Sequence, residues 1–310
     1  MRVVVVGAGG MGGYFGGMLA RGGADVSFVA RGAHLKAMQT QGLKVKSQLF
    51  GEFTLSVRAT ADPARIGPVD LVLFCVKAYD LEPAALQCRP LVGAQTAVVP
   101  VQNGIDIAER LERILGGGRI LGGLTYVAGY IESPGVVVQQ GRSGELIFGE
   151  LQGGTSERTS RLLAFFRSAG LPAELCPDIR RKLWEKFIVV CATGGVLALT
   201  RLPFGPVFAS AETSGLMKGV MEEVARLARA GGVGLPEGIV DRLFEELKGK
   251  MAPQAKSSQL RDLEEGRRLE LEFLNGTAVR LGKERGVPTP LNFAVYAALT
   301  PYRDGPPEIR

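Results

Sequence analysis

The residues of this chain that most clearly suggest chemistry are the glycines near its start. Residues 2–6 form a β-branched run that leads directly into a GxGxxG spacing. Such glycines allow a tight turn after a strand, a close approach of phosphate oxygens to the backbone, and close packing of the next helix. The N-terminus of that helix presents unpaired N–H groups to an anion. The pattern predicts a dinucleotide-binding loop, against the alternative of a merely structural turn; its residues are Gly7, Gly9, Gly10, Met11 and Gly12.

The elements that would position this loop follow an alternating pattern in the first part of the chain. β-Branched runs alternate with helix-compatible segments, which predicts βαβ units and a parallel sheet covered on both faces. Two later runs, separated by Gly141 and Gly144, predict a hairpin added at the sheet edge. The predicted strands are Arg2 to Val6, Asp25 to Val29, Val69 to Cys75, Thr96 to Val101, Ile120 to Val127, Val136 to Gln140, Glu145 to Phe148 and Pro172 to Cys176.

The sequence pattern changes after Asp178, where long segments with helical periodicity are rich in Glu, Arg and Leu. The predicted fold class is therefore α/β, with an N-terminal Rossmann-type doubly wound sheet followed by a mostly α-helical C-terminal domain. We predict a dinucleotide-binding domain over residues 1–177 and a helical substrate or dimerisation domain over residues 178–310. A helix over Thr155 to Ser168 is expected near the end of the first domain.

Composition narrows the classes of function. The 310 residues are 46% hydrophobic, and the formal charge of +6 is scattered along the chain, so no nucleic-acid partner is expected. The apolar run from Phe187 to Thr200 is too short to cross a bilayer, which predicts a buried helix and no membrane partner. The four cysteines lack the spacing of a zinc site, so we expect reduced thiols, no metal and a cytoplasmic location.

Polar residues follow the predicted strands at the sheet edge where ligands of such folds bind. Arg31 follows the second strand, where an NAD-specific enzyme usually carries an acidic residue; an arginine there can pair with the 2′-phosphate of NADP. Lys77 follows the third strand and Asn103 the fourth. The alternatives remain open, since Arg31 suits a solvated surface cation and Asn103 with Gly104 suits an ordinary turn.

The order of several motifs resembles the ketopantoate reductase family over nearly the whole chain. These motifs are GxGxxG, VKAYD, VQNGID, RKLWEKF, SSQLRDLEEGRRLELEFLNG and GVPTPLN. The resemblance implies NADPH-dependent reduction of a 2-oxoacid, 2-dehydropantoate, to (R)-pantoate in pantothenate biosynthesis. A homodimer is a separate expectation, which no motif of the chain carries.

The resemblance also implies roles for individual residues. Arg31 would hold the 2′-phosphate, while Lys77 and Asn103 would flank the nicotinamide and the substrate. Lys186 would be the general acid and would contact the substrate with Asn103 and Ser258, the last holding the carboxylate. Glu270 would bind a substrate hydroxyl or the cofactor, which makes the implied catalytic set Lys186, Glu270 and Asn103.

The chain departs from the family pattern at two positions. An Asn-x-x-x-Asn pair is expected to begin four residues after the lysine, but Val190 and Gly194 stand there. A site without these amides discriminates poorly for substrate hydroxyls, which favours a related reductase acting on another oxoacid or an imine. A non-catalytic NADPH-binding regulator is a third possibility, although a binder has no need of a placed acid.

The chemistry of hydride transfer supports the lysine assignment independently. A ketone that receives a hydride needs a proton on its oxygen from a positioned acid. Lys186 lies between Trp184 and Phe187, where desolvation would lower its pKa; the alternative is a lysine that snorkels from a buried helix. The sole histidine, His34, is expected to be a solvated loop residue.

Helix geometry constrains Ser258 and Glu270. On one continuous helix they would be roughly 18 Å apart along the axis, too far to share a small ligand. Gly266 offers a break, so we predict that Ser258 lies in a separate segment and that a new helix starts near Arg267. Leu271, Leu274, Ala278 and Leu281 would form its buried stripe. Glu270 would then stand in the first turn, and a solvated glutamate there is the alternative.

Overall fold

The computed structural model describes residues 1–307, and contacts between residues divide the chain into two compact units. The first unit contains Met1–Gln102 and Asp106–Arg180, and the second contains Asn103–Ile105 and the chain from Arg181 onward. The expected α/β class is confirmed, because a parallel sheet occupies the first unit and helices make up the second. The functions predicted for the two domains stay predictions.

The first unit contains twelve strands and five α-helices among its described residues. The strands are β1 (Arg2–Val6), β2 (Asp25–Val29), β3 (Leu43–Ser47), β4 (Gly51–Leu55), β5 (Arg58–Thr60), β6 (Val69–Phe74), β7 (Val92–Pro100), β8 (Gly122–Leu124), β9 (Ala128–Ser133), β10 (Val136–Gln140), β11 (Leu146–Gly149) and β12 (Ala173–Leu175). The helices are α1 (Gly10–Arg21), α2 (Gly32–Gln41), α3 (Leu81–Gln87), α4 (Ile107–Leu115) and α5 (Glu157–Ser168).

The main sheet has the strand order β5-β2-β1-β6-β7, and all of its pairs are parallel. Its central strand β1 is buried over four consecutive valines, as expected for a strand covered on both faces. Helix α1 packs against the sheet, and its Tyr14, Phe15 and Leu19 side chains are fully buried. This core holds the loop between β1 and α1 in place.

Two predictions about the later strands were wrong. The runs around Gly141 and Gly144 do not form a hairpin, because β10 pairs with β3 and β9 while β11 pairs with β8 and β12. The run predicted from Ile120 to Val127 is also divided: Ile120 makes a parallel bridge to β7, and only β8 continues, antiparallel to β11. Partners distant in sequence decide both pairings. The hairpin between β3 and β4 was not predicted at all.

The second unit is an assembly of helices around one apolar core. Its helices are α6 (Ile179–Thr200, whose first two residues belong to the first unit), α7 (Phe204–Ala209), α8 (Ala211–Ala230), α9 (Ile239–Lys250), α10 (Ser258–Glu264), α11 (Asn275–Arg285) and α12 (Pro290–Leu299). Among residues 1–307, α6 is the one helix long and apolar enough to span a membrane, and 67% of its most apolar window is buried inside the protein. The core helix of a globular domain has the same properties, which agrees with the predicted buried helix.

Candidate active site

The carboxyl ends of the central strands align at one edge of the main sheet. The last residues of β1, β2 and β6, Val6, Val29 and Phe74, are register partners, and Phe74 is in turn paired with Pro100 at the end of β7. The segments that follow these strands therefore leave the sheet at the same edge. This edge is where ligands of doubly wound sheets bind.

The glycine loop has the backbone geometry that its spacing predicts. Gly7 has a φ of +92°, and a Cβ atom there would lie 2.7 Å from the backbone nitrogen of Val76. A Cβ on Gly12 would lie 2.0 Å from the carbonyl oxygen of Gly7, so only glycine lets α1 pack this close to the turn. Gly10 is equally constrained, because its Cβ would lie 2.3 Å from the backbone of Gly129 in β9.

Gly9 differs from the other glycines because the space beside it is open. A Cβ on Gly9 would have none of the described atoms within 4 Å. The helix that starts at Gly10 has no side-chain cap and no acidic residue in its first turn within the described chain. An open backbone next to an uncapped helix N-terminus fits a phosphate group. Met11 is half-buried and packs against the core of the unit.

His34 is not the solvated loop residue that was expected. It lies in the first turn of α2 and is half-buried. Its Nε2 atom is 2.8 Å from the carbonyl oxygen of Ala8 in the glycine loop, and the backbone N–H of Gly135 donates to its Nδ1 atom at 3.0 Å. Burial lowers the pKa of the imidazole below its ordinary value, although the bond to Ala8 opposes this. The expectation failed because both partners come from other elements.

Arg31 and Lys77 lie where the sequence places them, after β2 and β6. The Arg31 side chain is 83% exposed and forms an ion pair with Asp80, in the short 3-10 turn Ala78–Asp80. An exposed ion pair of this kind contributes about 0–1 kcal/mol, so it holds the guanidinium only weakly. Lys77 is exposed and immediately precedes that turn. The role of Asp80 was missed, since its partner is 49 residues away.

Lys186 is buried in the second unit, with only 8% of its surface exposed. Its neighbours on α6, Trp184 and Phe187, are buried in the core and pack edge to face. Burial lowers the pKa of the Lys186 ammonium to about 8, and the negative charge of Glu270 opposes this lowering. The alternative of a snorkelling lysine is therefore excluded by the burial, and the group can give up a proton near neutral pH.

Glu270 is also buried, at 7% exposure, which excludes the solvated glutamate considered above. The structure brings it close enough to Lys186 for its charge to affect the ammonium. The expected helix start near Arg267 was wrong: α11 begins at Asn275, after a short 3-10 turn over Leu271–Phe273. The reason is that the Arg267 guanidinium pairs with Asp262 and the backbone N–H of Leu269 donates to Arg303, which holds this segment outside a helix.

The predicted break between Ser258 and Glu270 is confirmed. Gly266 has a φ of +65° and follows the end of α10. Ser258 is the exposed first residue of that helix, which Ser257 caps by accepting a bond from the Leu260 N–H. The stripe of Leu271, Leu274, Ala278 and Leu281 is buried as predicted.

Asn103 is half-buried and belongs to the second unit, as Lys186, Ser258 and Glu270 do. It follows the end of β7 by three residues.

The two positions that lack amides lie on the same face of α6 as Lys186, at spacings of four and eight residues. Val190 is half-buried and Gly194 is buried. Gln259, which the sequence did not indicate, packs beside Gly194, with its Nε2 atom 3.8 Å from the Cβ position of that glycine. Gln259 is 2% exposed, and neither polar atom of its side chain has a hydrogen-bond partner in residues 1–307. A buried amide is therefore present beside Gly194, on α10 rather than on α6.

A glycine loop on a parallel sheet and a buried lysine near a buried glutamate in a helical unit are features compatible with an oxidoreductase. Two family models match the chain: "Ketopantoate reductase PanE/ApbA" over residues 3–153, and its C-terminal counterpart over residues 178–303. The chain belongs to the ketopantoate reductase family.

Three relatives illustrate this membership. A protein of Mesorhizobium japonicum named 2-dehydropantoate 2-reductase is 34% identical over 96% of each chain. The crystal structure of a PanE/ApbA family ketopantoate reductase from Ralstonia eutropha is 36% identical over 98% of each chain, with a TM-score of 0.89. The crystal structure of a 2-dehydropantoate 2-reductase from Geobacter metallireducens is 33% identical in sequence. The match covers 97% of this chain and 99% of that protein, with a TM-score of 0.89.

Proposed function

We propose that this protein reduces a 2-oxoacid to a 2-hydroxyacid with NADPH, and that 2-dehydropantoate is its substrate. The observation that carries the proposal is the buried Lys186 with its lowered pKa beside Glu270. A protein that only bound a dinucleotide would gain nothing from burying a lysine, because desolvation of its charge is costly. The names of the relatives support the same reaction class.

The residues of this chain divide the reaction between them. When bound, NADPH supplies a hydride for the carbonyl carbon of the substrate. The ammonium of Lys186 gives a proton to the carbonyl oxygen, which becomes the new hydroxyl, and solvent then reprotonates the lysine. Glu270 keeps the lysine protonated at neutral pH by opposing the effect of burial. Ser258 and Asn103 bind and orient the oxoacid.

The cofactor assignment follows from the first unit. Gly7, Gly9, Gly10, Met11 and Gly12 would hold the pyrophosphate, since Gly9 is open and the N-terminus of α1 is uncapped. Arg31 would exchange its weak pairing with Asp80 for the 2′-phosphate, and Lys77 would lie near the nicotinamide. We further propose a cytoplasmic homodimer that acts in pantothenate biosynthesis, with no metal, nucleic-acid or membrane partner.

A second candidate is the reduction of an oxoacid without a hydroxyl group. Val190 and Gly194 offer no amide to a substrate hydroxyl, which is the observation that favours it. The buried amide of Gln259 lies next to Gly194 and favours the first candidate if it can turn toward the ligand. The two candidates therefore differ in how strongly the enzyme selects a hydroxylated tail.

A matched substrate pair tests both candidates. The oxidation of NADPH is followed with 2-dehydropantoate and with 3,3-dimethyl-2-oxobutanoate, which differs only by lacking the hydroxyl. We expect kcat/KM to be higher for 2-dehydropantoate. Equal values, or a preference for the second compound, would support the other candidate, and turnover of neither compound or any other 2-oxoacid would refute the reductase proposal.

A further inference from the structure

We propose that His34 is a positioning residue for dinucleotide binding, which fixes the peptide between Ala8 and Gly9 and is itself held in place by Gly135 only while its imidazole is neutral. The inference rests on the dinucleotide binding of the proposed function. It assigns the sole histidine of the chain a role that requires no contact with the ligand and makes affinity dependent on pH.

The first step of the argument is the geometry of one peptide bond. The carbonyl of Ala8 and the N–H of Gly9 belong to the same planar trans peptide, so they point in opposite directions. The Nε2 atom of His34 holds that carbonyl at 2.8 Å. It therefore also fixes the direction of the N–H of Gly9, the residue whose Cβ position has none of the described atoms within 4 Å. Glycine on both sides of Ala8 makes the loop flexible, so an external constraint on this peptide matters.

The second step is that His34 is itself held by a rigid support. The N–H of Gly135 donates to its Nδ1 atom at 3.0 Å, and Gly135 is a buried residue in the turn between β9 and β10. The carbonyl oxygen of Gly135 accepts from the N–H of Lys44 in β3 at 2.8 Å. The same pair of strands contacts the start of α1, where Gly10 meets Gly129. The loop is thus braced by β9 and β10 at two points.

These two bonds require one protonation state. Nδ1 accepts a hydrogen bond, so it carries no proton, and Nε2 must then be the donor to Ala8. A protonated imidazole has donors on both nitrogens and would lose the bond from Gly135. Protonation of His34 would therefore keep the donor to Ala8 but detach the imidazole from Gly135, which weakens the support of the glycine loop.

The charged residues close to His34 in sequence or in the adjoining turn are paired or exposed, so burial is the main influence on the protonation of its imidazole. Arg31 caps the helix that contains His34, and Lys36 lies two residues after His34. Glu132 lies in β9, three residues before Gly135. Arg31 is paired with Asp80, Glu132 is paired with Lys46, and Lys36 is exposed. The pKa of His34 is lowered by burial, and the hydrogen bond to Ala8 opposes this lowering. Support of the loop should be complete above about pH 6.5 and decrease as the pH falls through the lowered pKa.

The first test is an NMR titration of the imidazole, which gives one set of signals because the chain has a single histidine. We expect the Nε2–H tautomer and a pKa below 6.5. Saturation with NADH should lower this pKa further, because ligand and proton affect each other's affinity by the same factor. A histidine that instead contacted the phosphates directly would gain a proton on binding, so its pKa would rise. NADH is the probe because it lacks the 2′-phosphate, whose own ionisation near pH 6 would overlap.

The second test measures NADH affinity between pH 5 and pH 8 by cofactor fluorescence. In the wild type we expect binding to weaken about two- to tenfold at low pH, the range for one hydrogen bond. His34→Gln can still donate to Ala8, so it should bind nearly as well as the wild type and show no pH dependence. His34→Leu should bind about two- to tenfold more weakly at every pH. Gln39→Leu is the matched control, because it removes a hydrogen bond of the same helix, to Ala59, away from the glycine loop.

The outcomes separate the inference from the proposed function. If neither NADH nor NADPH binds, the proposed function is wrong and the role of His34 falls with it. If NADH binds but the histidine pKa rises or stays constant, only the positioning role is overturned. The same follows if His34→Leu binds like the wild type, or if His34→Gln keeps the wild-type pH dependence.

Discussion

The candidate sites of the two units consist of different kinds of chemical group. In the first unit the site consists of backbone groups and exposed cations, namely a glycine loop, a helix N-terminus, Arg31 and Lys77. In the second unit Lys186 and Glu270 are buried side chains, and the negative charge of Glu270 opposes the lowering of the Lys186 pKa by burial. A site of the first kind binds an anion in water, whereas burial in the second changes the acidity of a side chain. Substitutions should therefore affect binding in the first unit and chemistry in the second.

The largest effect is expected from Lys186→Met, which retains much of the packing of the stem but removes the acid. Loss of a general acid reduces rates about 10²- to 10⁴-fold, so turnover should fall at least a hundredfold. NADPH binding and the thermal unfolding midpoint should change little. Single-turnover oxidation of NADPH, with binding checked by fluorescence, measures this. A rate within tenfold of wild type would exclude Lys186 and direct attention to Lys77.

Arg31→Ala should have the next largest effect, and on binding alone. A bidentate arginine–phosphate contact contributes on the order of 1.5 to 3 kcal/mol, so the affinity for NADPH should fall roughly ten- to a hundredfold. The affinity for NADH should be unchanged, which makes NADH the internal control. Titration of both cofactors against both proteins measures the effect. Equal affinities of the wild type for the two cofactors would contradict the proposed NADPH preference.

Two alanine substitutions in the glycine loop separate packing from binding. Gly12→Ala would place a Cβ 2.0 Å from the carbonyl oxygen of Gly7, so it should destabilise the fold by about 1–3 kcal/mol. Gly9→Ala meets none of the described atoms within 4 Å and should leave the unfolding midpoint unchanged while weakening NADPH binding. Thermal unfolding and cofactor titration of both variants measure this. The distinction would fail if Gly9→Ala destabilised the protein as much as Gly12→Ala.

The same contrast explains how much the sequence could predict. β1 and β2 were predicted with their observed bounds, and Gly7 and Gly12 have the predicted geometry, because local residue types determine a strand and a turn. The support of Ala8 by His34 was missed, since no local pattern connects His34 to Gly135, 101 residues away. The burial of Glu270 beside Lys186 and of Gln259 beside Gly194 likewise depends on packing between segments distant in sequence.

The smallest effect is expected from a substitution that changes only the charge beside the proposed acid. Glu270→Gln removes the negative charge that raises the pKa of Lys186, so this pKa should fall below its wild-type value of about 8. The acid works when protonated, so wild-type reduction should decrease as the pH rises through about 8. In Glu270→Gln this decrease should begin at lower pH, and the rate at pH 6 should be closer to the wild-type rate than the rate at pH 8.

The measurement is the pH profile of single-turnover NADPH oxidation at saturating cofactor and oxoacid, from pH 5.5 to pH 9.5. Glu272→Gln is the control, since Glu272 is half-buried two residues away and accepts hydrogen bonds from Tyr296 and Arg303. It should leave the midpoint of the profile in place. A uniform loss of rate in Glu270→Gln, with the midpoint unchanged, would mean that Glu270 contacts the ligand without tuning the lysine. A midpoint that moved upward would contradict the electrostatic argument, because removal of a negative charge cannot stabilise an ammonium.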